Sequence, residues 1–103
     1  MRMIDAKSFT GDKAWDALDI AAIDGATVRL HWTDSPYIWH VNDGEEVFVV
    51  LDGEVDMHCR DAKGETVHRM RPGAIFHGGV GDEHVAHPVG VARILVVERA
   101  GSI

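Results

Sequence analysis

The sequence predicts an all-β fold, a double-sheet jelly-roll barrel, and three observations support this prediction. The apolar runs are short and rich in β-branched residues. Turn signals that contain glycine separate these runs every several residues, and no stretch has the length and spacing of a long amphipathic helix. Many short strands with frequent turns are typical of sandwiches and barrels, and a jelly-roll barrel is the simplest arrangement for 103 residues.

The individual strands follow from the apolar runs and the turns between them. Two apolar runs flank Asp24-Gly25, the strongest short hairpin signal in the chain. The run at 47–51 is too short for a typical helix and has glycines on both sides, which favours a buried strand. We expect one domain, 1–103, with an N-terminal arm at 7–15 that holds at most one helical turn. The predicted strands are 18–23, 26–32, 37–41, 47–51, 54–60, 65–70, 74–77, 83–88 and 91–98.

Charge and composition exclude several kinds of partner. The formal net charge is −7 and lysine and arginine do not cluster, so we expect neither nucleic acid nor a membrane as partner. The lone Cys59 cannot form an intramolecular disulfide, and an acidic residue stands where a signal peptide would need an apolar run. We therefore expect a cytoplasmic protein.

A histidine, an asparagine and a glutamate lie around the turn in the middle of the chain. His40 and Asn42 are two residues apart, so on a strand they point to the same face. Glu46 can join them from the strand that returns after the turn. Because buried polar groups need partners, three such groups predict a site for a metal, water or ligand.

The other histidines are weaker candidates. His77, just before the glycine-rich segment 78–82, is predicted as a pocket wall, and His87 as a surface or interface residue on the face opposite to His84. The segment 78–82 lacks the Lys-Ser/Thr and the helix of a phosphate loop. Positions on solvated strand faces are predicted for His31, His58 and His68. Core or subunit-interface positions are predicted for Trp32, Tyr37, Trp39, Phe48 and Phe76, one or two of which could line the barrel mouth.

The turn region matches the first signature of the cupin superfamily. That signature is His-x-His, three or four residues, Glu, six residues and Gly. Here His40, Glu46 and Gly53 keep the spacing, and Asn42 replaces the second histidine. The chain resembles the small single-domain bacterial cupins, some of which are described as similar to mannose-6-phosphate isomerase.

The second cupin signature also has a counterpart. It consists of Gly, five residues, Pro-x-Gly, two residues, His, three residues and Asn. Gly73, Gly81 and His84 keep this spacing, while Gly79 and Pro88 replace the proline and the asparagine. Both signatures in the right order extend the resemblance over nearly the whole chain, and they imply the cupin barrel as the fold.

The resemblance implies a metal site and leaves the reaction open. Carried over by position, it implies His40, Glu46 and His84 as ligands of a divalent metal, Fe, Mn, Ni or Zn, with Asn42 in the fourth place. Two functions follow: a metal-dependent isomerase, decarboxylase or dioxygenase on a small polar substrate, or a non-catalytic module that binds or senses a small molecule. The family also implies a homodimer.

A third interpretation, in which the site holds no metal, also remains open. His40 and His84 could be hydrogen-bonded histidines of a pocket, and Glu46 could pair with Arg29 or Arg93.

Overall fold

The computed structural model describes residues 1–102, which form seven antiparallel strands and one short 3-10 turn at Ala6–Ser8. Along the sheet the order is β1-β2-β7-β4-β5, while β3 pairs with β7 and β6 pairs with β4. Within residues 1–102, no helix has the length and apolar character needed to cross a membrane. The strands are β1 Asp16–Ile23, β2 Ala26–Thr33, β3 His40–Val41, β4 Glu46–Asp61, β5 Gly64–Met70, β6 Ile75–Gly78 and β7 Glu83–Arg99.

The first hairpin is confirmed. β1 and β2 pair from Asp16↔Trp32 to Ile23↔Ala26, and both turn residues, Asp24 and Gly25, have positive φ. Two consecutive positive φ angles are what a tight hairpin requires, and an Asp-Gly pair accepts them readily.

The long strands β4 and β7 correct the predicted boundaries. The chain does not turn back at Asp52-Gly53; β4 continues through it as one bent strand with register shifts between Val50 and Glu54. Gly53 has φ +75, and a Cβ there would lie 2.2 Å from a backbone carbonyl oxygen of β7. A β-bulge and a hairpin turn use the same glycine signal, so the sequence pattern predicted two strands where there is one. β7 likewise joins the predicted strands 83–88 and 91–98 through Gly90, at φ +73.

The predicted strand 37–41 is shorter in the structure. Only His40–Val41 pairs with β7, and Tyr37 makes one isolated backbone hydrogen bond, from its N–H to Ala86 O. Without further ladder hydrogen bonds before His40, Tyr37 and Trp39 lie outside the strand.

Alternate residues of the two long strands build the core. Phe48, Val50, Ile94 and Val96 are at most 5% exposed, and they follow the period of two that places alternate side chains on one face. The same alternation puts Glu46 at the beginning of β4 and Glu98 near the end of β7, both on the inward face. The apolar core thus ends at a polar cavity. The complete buried cluster is Phe48, Val50, Val55, Met57, Met70, Ala86, Ala92, Ile94 and Val96.

Candidate metal centre

Three strands bring the predicted site residues together. His40 on β3 is the register partner of His84 on β7, and Glu46 is the first residue of β4. One ligand atom of each of these residues lies within 4.8 Å of the others. Asn42, directly after β3, completes the group. In the described part of the chain, this is the one cluster of at least three potential metal-ligating His, Cys, Asp or Glu residues.

His84 is the centre of this group. Its Nε2 atom lies 2.8 Å from Asn42 Oδ1 and 3.0 Å from Glu46 Oε1. Only the contact with Asn42 has the geometry of a hydrogen bond, because Glu46 Oε1 is buried without a hydrogen-bond partner. His84 is 2% exposed, and Asn42 and Glu46 are each 7% exposed. These three side chains are therefore shielded from bulk water, whereas His40 is only partly buried.

The hydrogen bond of His40 leaves its Nε2 atom available to a metal ion. Its Nδ1 atom lies 3.0 Å from the backbone oxygen of Ile38. Since a carbonyl oxygen only accepts hydrogen bonds, Nδ1 carries the proton and Nε2 keeps its lone pair. A second-shell hydrogen bond of this kind is typical of histidines that ligate metals.

The donor set fits a divalent metal ion. Two ligands at right angles, each with a bond of about 2.1 Å, lie about 3 Å apart, close to the two separations measured around His84 Nε2. Two imidazoles and one carboxylate suit Fe(II) and also Mn, Ni or Zn. Three atoms are buried without a hydrogen-bond partner among the described residues: Asn42 Nδ2, Glu46 Oε1 and His84 Nδ1. Unpartnered buried polar atoms are costly, and a bound ion would use Glu46 Oε1.

The arginines proposed as partners of Glu46 have other partners. Arg29 Nε lies 2.7 Å from Asp19 Oδ1, and Arg93 Nη1 lies 2.7 Å from Asp52 Oδ2. Neither arginine forms an ion pair with Glu46 among the described residues.

A cavity of about 180 Å³ opens beside the cluster. This volume holds several water molecules or one small organic molecule. Apolar and aromatic side chains supply part of the wall, and charged groups outside the cluster supply the rest, a combination common in small-molecule sites. Besides His40, Glu46 and His84, the lining residues important for the chemistry are Trp15, Arg29, His31, Tyr37, Phe48 and Glu98.

Glu98 is a cavity residue that the sequence reasoning missed. Burial and the negative charge of Glu46 raise the pKa of Glu98 to about 7, while Arg29 opposes this shift. The two glutamates are register partners on adjacent strands. The alternation of Ala92, Ile94 and Val96 continues to Glu98, and this period of two was the signal that could have identified it.

His31 lines the cavity, so its predicted solvated position is wrong. Its Nδ1 atom lies 3.2 Å from the backbone oxygen of Trp15, and its ring packs edge-on against the Trp15 indole. Burial lowers the pKa of His31, which favours a neutral ring with the proton on Nδ1 and a lone pair on Nε2. The error has a physical reason: β2 turns Arg29 and His31 inward and buries Leu30 on its other face. Both faces of β2 are covered by other parts of the protein, so the pattern of polar and apolar residues did not show which face lines the cavity.

The remaining histidines lie elsewhere. His77 is exposed and pairs with Glu45 at 3.0 Å on the surface, so its predicted place in the pocket wall is wrong. Glu45 is itself exposed. His87 lies outside the cavity and packs its ring against His58, with 4.3 Å between the ring centroids.

Comparison with known proteins identifies similar structures but no sequence relatives. No protein family matches the sequence, and no curated protein matches it. A cupin-2 domain protein from Shewanella frigidimarina is 22% identical with a TM-score of 0.76, covering 86% of this chain and 84% of that one. A cupin superfamily protein from Desulfitobacterium hafniense is 13% identical with a TM-score of 0.77, covering 91% and 85%. Hydroquinone 1,2-dioxygenase PnpCD, in complex with Fe3+, is 17% identical with a TM-score of 0.76; the match covers 87% of this chain and 29% of that one.

Proposed function

We propose that this chain, which has the cupin fold, holds one divalent metal ion through His40, Glu46 and His84 and offers it to a small polar molecule in the adjoining cavity. Asn42 is the fourth member of the site. The observation that carries the proposal is the convergence of two imidazoles and a carboxylate within 4.8 Å, beside a cavity of about 180 Å³.

In this proposal, the metal ligands hold the ion, and other residues of the cavity wall contact the bound molecule or accept a proton from it. A divalent ion bound there would supply a Lewis acid or an open position for oxygen, which suits isomerase, decarboxylase or dioxygenase chemistry. His31 offers a lone pair on Nε2 to a proton of the bound molecule, since its Nδ1 donates to Trp15 O. Trp15, Tyr37 and Phe48 supply the aromatic part of the cavity wall. The metal-dependent enzyme is our first hypothesis.

The second hypothesis is a non-catalytic module that binds or senses a small molecule. Asn42 supports it, because an amide oxygen is a weaker ligand for these metals than an imidazole. In the structure Asn42 also engages His84 Nε2 in a hydrogen bond, which a metal ion would have to replace. NMR spectra of the metal-loaded protein with a panel of small organic acids separate the two hypotheses: new product signals support the enzyme, and binding without product supports the module.

The metal proposal is tested by metal analysis and calorimetry on purified protein. We expect one equivalent of Fe, Mn, Ni or Zn per chain, and at least a hundredfold weaker binding in His84→Ala. His87→Ala is the matched control, because His87 lies on the same strand and outside the cavity. If the wild-type protein binds none of these ions, the metal proposal fails.

Replacement of the unusual ligand gives an independent test. Asn42→His restores the second histidine of the cupin signature, and we expect it to bind metal at least tenfold more tightly than the wild type. Equal or weaker affinity in a folded variant would show that position 42 does not face the ion.

We also propose that the protein is a cytoplasmic homodimer. Large apolar side chains on its strands, including Val67 and Ile75, are more than half exposed, which supports a subunit interface. The single free Cys59 is compatible with a reducing compartment. A sedimentation experiment at micromolar concentration that finds only an 11.3 kDa species would contradict the dimer.

A further inference from the structure

Building on the proposed function, we propose that Arg29 and Glu98 select the molecule bound in the cavity, and that it is a small organic acid that also carries a hydroxyl or amino group. Both residues line the same cavity as the metal cluster. The acid group would bind to Arg29 and the hydroxyl or amino group to Glu98.

Arg29 has donors available for a carboxylate. Its Nε atom donates to Asp19 Oδ1 at 2.7 Å in a partly exposed ion pair, which occupies this one donor. Its two terminal nitrogens make no hydrogen bond with other residues in 1–102. A planar guanidinium binds a carboxylate through two parallel hydrogen bonds, and it keeps its charge at any pH the protein tolerates. Arg29 is therefore an anchor for an acid group at the cavity wall.

Glu98 supplies the complementary acceptor. Its carboxyl group makes no hydrogen bond or ion pair within the described residues, although it is half-buried in the cavity wall. A hydroxyl or amino group of a ligand can donate to it. The carboxyl group of Glu98 thus distinguishes a hydroxy or amino acid from a plain acid of the same size.

The two charged groups are neighbours that do not pair. Arg29 is the register partner of Val96, so Glu98 follows two residues later on the same face of the adjacent strand. Side chains at this spacing can reach each other, yet no ion pair forms between them in the described structure. The wall therefore presents the cation of Arg29 and, separately, the carboxyl oxygens of Glu98 as hydrogen-bond acceptors, which complement a ligand with both an acid group and a donor.

Calorimetry with four matched three-carbon probes tests this inference on the full chain loaded with Zn2+. The probes are L-lactate, L-alanine, propionate and 1,2-propanediol. We expect lactate and alanine to bind at least tenfold more tightly than propionate, which lacks the donor, and than propanediol, which lacks the acid. If all four bind with equal affinity, or none binds, the inference is overturned.

Variants assign the effect to the two residues. Arg29→Gln should weaken lactate binding at least tenfold, with Arg29→Lys between it and the wild type, because lysine keeps the charge but loses the planar pair of donors. Glu98→Gln should bring lactate close to propionate. Arg71→Gln is the control, since Arg71 is exposed and outside the cavity. Unchanged lactate affinity in Arg29→Gln would refute the role of Arg29.

Zinc affinity, measured on the same proteins, separates this inference from the metal proposal. If His84→Ala abolishes zinc binding but the wild type binds all four probes equally, only the proposed role of Arg29 and Glu98 is refuted. A wild-type protein without zinc affinity refutes the metal proposal, while lactate binding to the metal-free protein that depends on Arg29 still supports the wall.

Discussion

Glu98→Gln tests the electrostatics of the cavity through the stability of the protein. In the folded chain the pKa of Glu98 is raised to about 7 by burial and by Glu46. The fold therefore prefers the protonated acid, and the stability it gains from this preference is complete below the unfolded pKa and lost as the pH rises through 7. The variant carries a neutral amide of the same size, so it should escape this loss.

The expected magnitude follows from the two pKa values. A pKa of about 7 against 4.5 corresponds, at about 1.36 kcal/mol per pH unit, to an upper limit of about 3.4 kcal/mol. Glu98 is only half-buried, so screening by water reduces this figure, and we expect about 1–2 kcal/mol. At pH 8.5 the variant should be more stable than the wild type by this amount, and most of the gain should develop between pH 4.5 and pH 7.

Urea unfolding in EDTA at several pH values measures the effect, because EDTA removes metal ions that would neutralise Glu46. Glu45→Gln is the control: Glu45 is an exposed neighbour outside the cavity, and its replacement should leave the pH dependence almost unchanged. A stability difference between Glu98→Gln and the wild type that is the same at pH 4.5 and pH 8.5 would refute the reasoning.

Three further substitutions test other parts of the structure. Burial lowers the pKa of His31, so the wild type should lose stability as the pH falls below about 6.5, and His31→Gln should flatten this dependence in urea unfolding at pH 5.5 and 8. In Gly78→Ala the new Cβ would lie 2.2 Å from Asn42 Nδ2, so calorimetry should show weaker metal binding, whereas Gly44→Ala, which meets only ordinary contacts, should bind normally. Gly53→Ala combines φ +75 with a clash against a backbone oxygen, and urea unfolding should show a loss of about 2 kcal/mol or more; unchanged stability would contradict the bulge.

Local sequence patterns were enough to predict much of the fold. The run at 47–51 forms a strand, but the prediction that it is buried holds only for one face, because alternation leaves Val47 and Leu51 exposed. This run, the Asp24-Gly25 hairpin and the frequent turns predicted an all-β barrel, and the structure and its cupin neighbours confirm that fold. Such features depend on a few consecutive residues, so they can be read without tertiary information. The similarity to mannose-6-phosphate isomerase stays a prediction.

The candidate site was partly predictable for the same reason. His40, Asn42 and Glu46 lie around one turn, and their spacing predicts convergence. His84 is far away in the sequence, and the order and spacing of two family signatures connected it with the others. The structure brings all four together, and their role as metal ligands is the proposal that the experiments test.

Only the tertiary structure decided which other groups face the cavity. Arg29 and His31 are on a strand whose two faces are both used, and which face is inward depends on the strands that pack against it. Glu98 enters the cavity because β7 pairs its end with the beginning of β4. The sequence by itself determined that the chain is built from strands and that the central histidine, asparagine and glutamate converge, since both follow from local periodicity and turns. The charged wall beside them is set by strand pairing between distant segments, and no local pattern specifies it.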